Sequence, residues 1–156
     1  MNQARLLIDA NSLVLLLVGW VSPSLISKHK RLQAFTAIDF DLLKQFCANY
    51  QTLVVTPNTL TEASNLALQI TEPARNEIKL AIAKFVKTAL EIYSPSLTAS
   101  MRPEYNFLGI ADCAQLGTDI DLPLLTEDNG LYRAALGIQK PAFNFTHIRV
   151  QNGTLS

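Results

Sequence analysis

Three short apolar runs, LLI at 6–8, TLVV at 52–55 and LPLL at 122–125, each end at a polar residue, and helix-like spacing follows each of them. Runs this short with no polar alternation suit strands covered on both faces, because a half-exposed strand would alternate. Parallel strands need a crossover, and a helix is the compact one. The order strand, helix, strand therefore predicts an α/β fold, a three-layer α/β/α sandwich with a mostly parallel central sheet.

Between the strands, the spacing predicts a buried helix over 12–19 and a second helix over 36–50 that opens on the capping pair Thr36 and Asp39. A third helix is expected over 57–70, and a long amphipathic one begins near Pro73. A short strand is expected at Ile92 and Tyr93. The stretch 96–117 starts irregular and ends as a helix through Asp112 closed by Gly117. TEDNG at 126–130 reads as a turn, LYRAALG as a short helix and FNFTHIRV at 143–150 as an alternating final strand.

With 156 residues and 49% hydrophobic side chains the chain can bury one sizeable core, so residues 1–156 read as a single domain. Thirteen basic residues balance thirteen acidic ones, which leaves no global positive field for nucleic acid or anionic membrane. Cys47 and Cys113 lack metal-ligand spacing and read as reduced packing thiols. The apolar run 13–21 is about half of the roughly 20 residues a bilayer needs, and Asp9 and Asn11 interrupt any signal-like window. The expectation is a cytoplasmic protein without a membrane partner.

In open parallel sheets ligands gather at the carboxyl ends of the strands. Asp9 follows the first run, Glu62 lies about a helical turn past the second, and Asp128 follows the third. Asp112 stands in the helix leading into that third strand. Acids gathered on one edge repel unless cations neutralise them, and an all-oxygen donor set suits Mg²⁺ or Mn²⁺. An ion held there could polarise a phosphoryl oxygen, which points to phosphodiester hydrolysis.

Each acid also has a local explanation. Asp9 could cap the next helix, Glu62 could close a capping box on Thr59, Asp112 could be an ordinary solvated acid, and Asp128 could be a turn residue. Crowding predicts that Asp9→Asn raises the melting temperature of metal-free protein, whereas loss of a cap would lower it.

The phrases LLIDANSLV, TPNTLTEASNL, FLGIADCAQLG and LLTEDNGLY resemble, in that order, the four acidic motifs of PIN-domain nucleases. The resemblance covers nearly the whole chain. It implies a metal-dependent endoribonuclease, with Asp9, Glu62, Asp112 and Asp128 as the catalytic, metal-binding acids. Asn11 and Thr126 would be supporting or phosphate-positioning groups, and Mg²⁺ or Mn²⁺ the cofactor. It further implies the toxin of a type II toxin-antitoxin pair, with RNA as substrate and an antitoxin as partner; a homodimer is a separate expectation that rests on the apolar surplus. The sequence departs from the pattern at Gly130, where many relatives carry a further acid, and this leaves open how many ions are held. The alternative is a PIN-like protein-binding module with little or no catalysis.

Other features are less specific. The basic run Lys28, His29, Lys30 and Arg31 could contact an RNA backbone or be a solvated face. Arg102, Arg133 and Lys140 are scattered candidates for the same role, and Lys140 is poorly placed for a receiver-like phosphoacceptor site. His29 and His147 have no nucleophile partner, and there is no phosphate-binding glycine loop. Tyr93, Tyr105, Phe107 and Tyr132 read as packing residues before base-stacking ones. The apolar SLVLLLVGW could line a core, a dimer interface or a groove for a peptide.

Overall fold

The computed structural model describes residues 4–156, so residues 1–3 of the expected domain lie outside the described part. Five strands, β1 (Arg5–Ile8), β2 (Thr52–Val55), β3 (Leu90–Glu91), β4 (Leu124–Thr126) and β5 (Ala142–Asn144), form one sheet in the order β3-β2-β1-β4-β5. Every neighbouring pair is parallel, with Leu7 opposite both Val54 and Leu124. The chain works outward from β1 to β3, then crosses back to β4. Strand order therefore reverses between β1 and β4, and a crevice opens there beyond their carboxyl ends.

Both faces of the sheet are covered, which is why its strands are continuously apolar. Leu6 and Ile8 belong to one core cluster with Leu13, Leu16, Phe40 and Ile78, while Leu7 packs on the other face with Leu116, Leu124, Leu131 and Ala135. Alternate side chains of one strand thus enter different layers. The first layer holds α1 (Ala10–Val21), α2 (Ala37–Cys47), α3 (Pro57–Ala67) and α4 (Ala74–Thr88). The second holds α6 (Ile110–Leu116) and α7 (Asn129–Gly137), with α5 (Ser96–Ser100) packed on α6.

The run SLVLLLVGW is core. Leu13 to Val18 are each at most 1% exposed, because α1 lies on the sheet and is roofed by α2, α3 and α4. A helix apolar all round is a buried helix. Only Trp20 reaches the surface, stacked at a tilt on Phe85. Gly19 lets α2 approach, since a Cβ there would run into the Phe40 ring. Both cysteines are free and buried, and burial pushes the Cys47 thiol up to about 12. Among the described residues, no helix is long and apolar enough to cross a membrane.

Several boundaries differ from the sequence reading. The third strand is Leu90–Glu91 rather than Ile92 and Tyr93; Ile92 N–H still bonds to Val55 O at 2.9 Å, but Tyr93 has already left the sheet and is 75% exposed. The expected final strand over 143–150 is mostly a helix. β5 ends at Asn144, whose side chain accepts the Thr146 N–H at 2.9 Å and starts α8 (Phe145–Gln151). Phe145, Ile148 and Arg149 then share one helical face turned inward.

Arg149 explains why α8 is wanted there. Its guanidinium bonds both oxygens of Asp39 (Nε to Oδ1 3.0 Å, Nη2 to Oδ2 3.2 Å), donates to Ala34 O and lies over the Phe35 ring. Asp39 is fully buried and also completes the capping box with Thr36. Burial pushes its carboxyl up, yet the Arg149 and Thr36 hydrogen bonds outweigh this and hold it below the ordinary range. Removing one partner strands the other charge in the interior. Arg149→Met should thus cost about 3–5 kcal/mol in urea unfolding, and Asp39→Ala added to it should cost much less than the two single losses summed.

Candidate functional site

The crevice between β1 and β4 is built by residues that end those strands. Asp9 directly follows β1 and caps α1; Thr126 is the last residue of β4; Asp128 caps α7 by accepting the Leu131 N–H at 2.9 Å. Because β1 and β4 are neighbours, Asp9 and Thr126 meet. The Asp9 carboxylate accepts from Ala10 N–H (2.8 Å), Gln115 Nε2 (3.0 Å) and Thr126 Oγ1 (2.7 Å). Thr126 Oγ1 in turn accepts the Asp128 N–H at 3.0 Å, which leaves its own hydrogen for Asp9. The hydroxyl therefore ties the two strand ends together.

Gln115 was not singled out by the sequence, although a signal existed. It stands three residues after Asp112 on α6, and residues at that spacing share a helix face. It is fully buried, and its Oε1 has no hydrogen-bond partner among the described residues. The same helix carries Asp112 to the crevice mouth.

Glu62 arrives from the other side, in the second turn of α3. It does not close a capping box, because α3 is capped one turn earlier: Thr56 Oγ1 accepts the Thr59 N–H, and Thr59 lies inside the helix. Thr59, Ala63 and Ala67 form the buried seam of α3, and Glu62 stands off it, exposed.

Four acids from four separate segments feel one another. Burial and then the charges of Asp9, Asp128 and Glu62 push the Asp112 carboxyl up to about 6. The Glu62 carboxyl is also raised, first by desolvation and then by Asp9. Glu127, between Thr126 and Asp128, is raised mainly by burial, with Arg149 opposing and Asp39 and Asp9 adding. Its Oε1 lies 3.9 Å from Arg149 Nη1, so it links this rim to the buried ion pair.

Among the described residues, however, no three His, Cys, Asp or Glu side chains stand close enough together to hold a metal ion. The two observations measure different distances. Charge coupling extends over roughly 10 Å, whereas Mg²⁺ needs oxygens within about 2.1 Å of one point. Asp9 and Asp128 each have Oδ1 engaged by a helix-start N–H group, so the capping explanation holds for both alongside the coupling.

The remaining candidates scatter. Asn11 is exposed in the first turn of α1, with no side-chain hydrogen bond among the described residues. Lys28, Lys30 and Arg31 are exposed, but they follow α1 at the end of the sheet opposite the acids. His29 fixes them there: buried, it uses Nε2 toward Ala67 O at the far end of α3 and accepts the Arg31 N–H at Nδ1. The structure does not bring this basic run to the carboxylates. Arg102 pairs with Glu104 at 3.1 Å, and Arg133 is exposed on α7. Lys140 is buried before β5, with Nζ donating to Asp119 O, so it is not a lysine facing the acids. His147 lies on α8, its ring edge-on to Tyr132. Tyr93, Tyr105 and Phe107 are not core residues, being 75%, 45% and 68% exposed.

Beside Glu62 and Ala111 opens a groove of about 810 Å³ whose long wall is the outer face of α3 and whose opposite wall is the segment 93–96. No family model, no curated protein and no solved structure matches this chain.

The raised carboxyl of Asp112 has a thermodynamic consequence. A carboxyl titrating at about 6 in the folded state against an ordinary 3.8 costs stability as pH rises through that interval, and the full penalty stands above it. In metal-free protein Asp112→Asn should therefore raise Tm at pH 7.5 by the equivalent of roughly 1–3 kcal/mol, and should change it little once the pH is well below 3.8, where both states hold the proton. The stabilisation that crowding predicts for Asp9→Asn moves to Asp112, since Asp9 accepts three hydrogen bonds that an amide would break in part.

Proposed function

We propose that this chain is a metal-dependent endoribonuclease of the PIN type that hydrolyses RNA phosphodiester bonds with Mg²⁺ or Mn²⁺. The observation that carries the reading is the shared field of Asp9, Glu62, Asp112 and Asp128 at the point where strand order reverses. Capping alone gives no reason for Glu62 and Asp112, which cap nothing, to face the two acids that do.

In donor type the set suits a hard divalent cation, since all four are carboxylates. Among the described residues, however, no three of them stand close enough to share one ion, so binding would have to draw them together. Asp9, Asp112 and Asp128 would hold it, with Glu62 completing the set from α3. Such an ion supplies a Lewis acid for a phosphoryl oxygen. The chain's own contribution is orientation and charge. Thr126 and Gln115 fix the Asp9 carboxylate from two sides, and Thr126 fixes the Asp128 backbone as well. Asp112 has no hydrogen-bond partner among the described residues, and burial first, then the charges of Asp9, Asp128 and Glu62, disfavour its ionised form, so a nearby cation would relieve it.

The test is incubation of the purified protein with RNA and Mn²⁺ or Mg²⁺, beside Asp9→Asn and Asp112→Asn. Loss of a metal contact worth several kcal/mol should cut the rate about 100-fold or more, and products should carry a 5′ phosphate and a 3′ hydroxyl. Equal cleavage by all three proteins rejects the roles. The reading extends to the toxin of a type II pair acting in the cytoplasm, alone or as a homodimer. A neighbouring gene for a small antitoxin that abolishes the cleavage when co-expressed would support that extension.

One observation favours a second reading, a PIN-like binding module without turnover: the absence, among the described residues, of acids close enough to chelate an ion. Calorimetric titration separates the two. The nuclease reading expects saturable Mn²⁺ binding that Asp112→Asn weakens, whereas a pure capping role gives no such heat.

A further inference from the structure

We propose that the groove along α3 is a nucleobase subsite that receives the unpaired base beside the bond to be cut. The inference rests on the reading of the acids as an RNA-cutting centre and specifies what lies next to it.

The groove meets the acids at one of them. Glu62 lines it and belongs to the coupled set, and Ala111 lines it one residue before Asp112. Its volume of about 810 Å³ falls within the roughly 300–1,000 Å³ of small-ligand sites. Its chemistry is that of a neutral heterocycle's site and not of a phosphate track. No lysine or arginine lines it, and apart from Glu62 its polar groups are amides and hydroxyls.

Those groups are placed by the helix. Asn58, Thr61 and Asn65 follow at three- and four-residue steps on α3, so they share the face opposite the seam of Thr59, Ala63 and Ala67. Among the described residues, none of the three side chains has a hydrogen-bond partner. An asparagine amide offers a donor and an acceptor side by side, which is the pattern of a base edge. Across the groove stands Tyr93, 75% exposed, its hydroxyl tied to Glu91 Oε1 at 2.9 Å. A large exposed ring, held at one end, offers a face on which an unstacked base can lie.

This arrangement divides the work. Phosphate charge is left to the acids and the cation they recruit, while the groove takes the uncharged part of the nucleotide. Single-stranded RNA satisfies both demands, because only an unpaired base is free to leave its neighbours.

The probe is the free nucleoside, which carries no phosphate and so needs neither metal nor acids. Adenosine, guanosine, cytidine and uridine are titrated into metal-free protein while the side-chain amide signals of Asn58 and Asn65 are followed by NMR. Saturable shifts with at least one nucleoside are expected, together with binding weakened about five- to 150-fold in Tyr93→Ala, the range of one lost stacking contact. In Asn65→Ala the order of preference among the four should change. Absence of any shift up to the solubility of all four overturns the subsite, as do shifts that Tyr93→Ala leaves unaltered. The outcome is separable from that of the cleavage assay. Shifts without Mn²⁺-dependent cleavage keep the base site and sink the hydrolytic reading, and cleavage without shifts does the reverse.

Discussion

The hydroxyl of Thr126 donating to the Asp9 carboxylate at 2.7 Å is the contact on which the arrangement of the rim depends. It crosses the one place where strand order reverses, and it needs the sheet beneath to be in register. Leu7 opposite Leu124 and Ile8 opposite Leu125 set that register, and the Asp9 N–H bond to Leu125 O at 3.0 Å carries it one residue past β1. A one-residue slip would turn every side chain of β1 to the other layer and carry Asp9 away from Thr126. Hydrophobic sorting of Leu6, Leu7 and Ile8 into two separate cores therefore also decides where a carboxylate stands.

The strands and the first helices were legible because burial on two faces leaves a signal that propensity alone does not: runs with no polar interruption. The Thr36–Asp39 box was readable for a similar reason, being wholly local. Errors came where distant partners decide. FNFTHIRV has the β-branched and aromatic content of a strand, yet Asn144 caps a helix and Arg149 must reach Asp39 from its far turn. Thr59 and Glu62 have the spacing of a capping box, but Pro57 moves the helix start to Thr56, one turn upstream. Tyr93 looked like a strand residue, and the sheet edge ends just before it.

The candidate site was half legible. Acids at the ends of strands can be expected from topology, and Asp9, Thr126 and Asp128 lie where the α/β reading puts them. Gln115 could not be weighed without knowing that α6 sets its face against β1. The basic run at 28–31 misled because charge in sequence says nothing about which end of the sheet it occupies; burial of His29 against Ala67 at the far end of α3 settles that.

Electrostatics then constrain how such a rim can meet a polyanion. The chain is balanced at thirteen charges of each sign, and its cationic run stands away from the crevice. A phosphate approaching Asp9, Glu62, Asp112 and Asp128 in the absence of cations would be repelled by their charges, which add to burial in pushing the Asp112 carboxyl up to about 6. Attraction must therefore come from whatever neutralises the acids, and the affinity of the bare protein for nucleic acid should show little of the steep salt dependence that lysine and arginine contacts produce. Under the nuclease reading, recognition passes to shape and neutral contacts next to the acids. The α3 face supplies these, since its seam of Thr59, Ala63 and Ala67 is small enough to sit close on α1 and so turns Asn58, Thr61 and Asn65 outward.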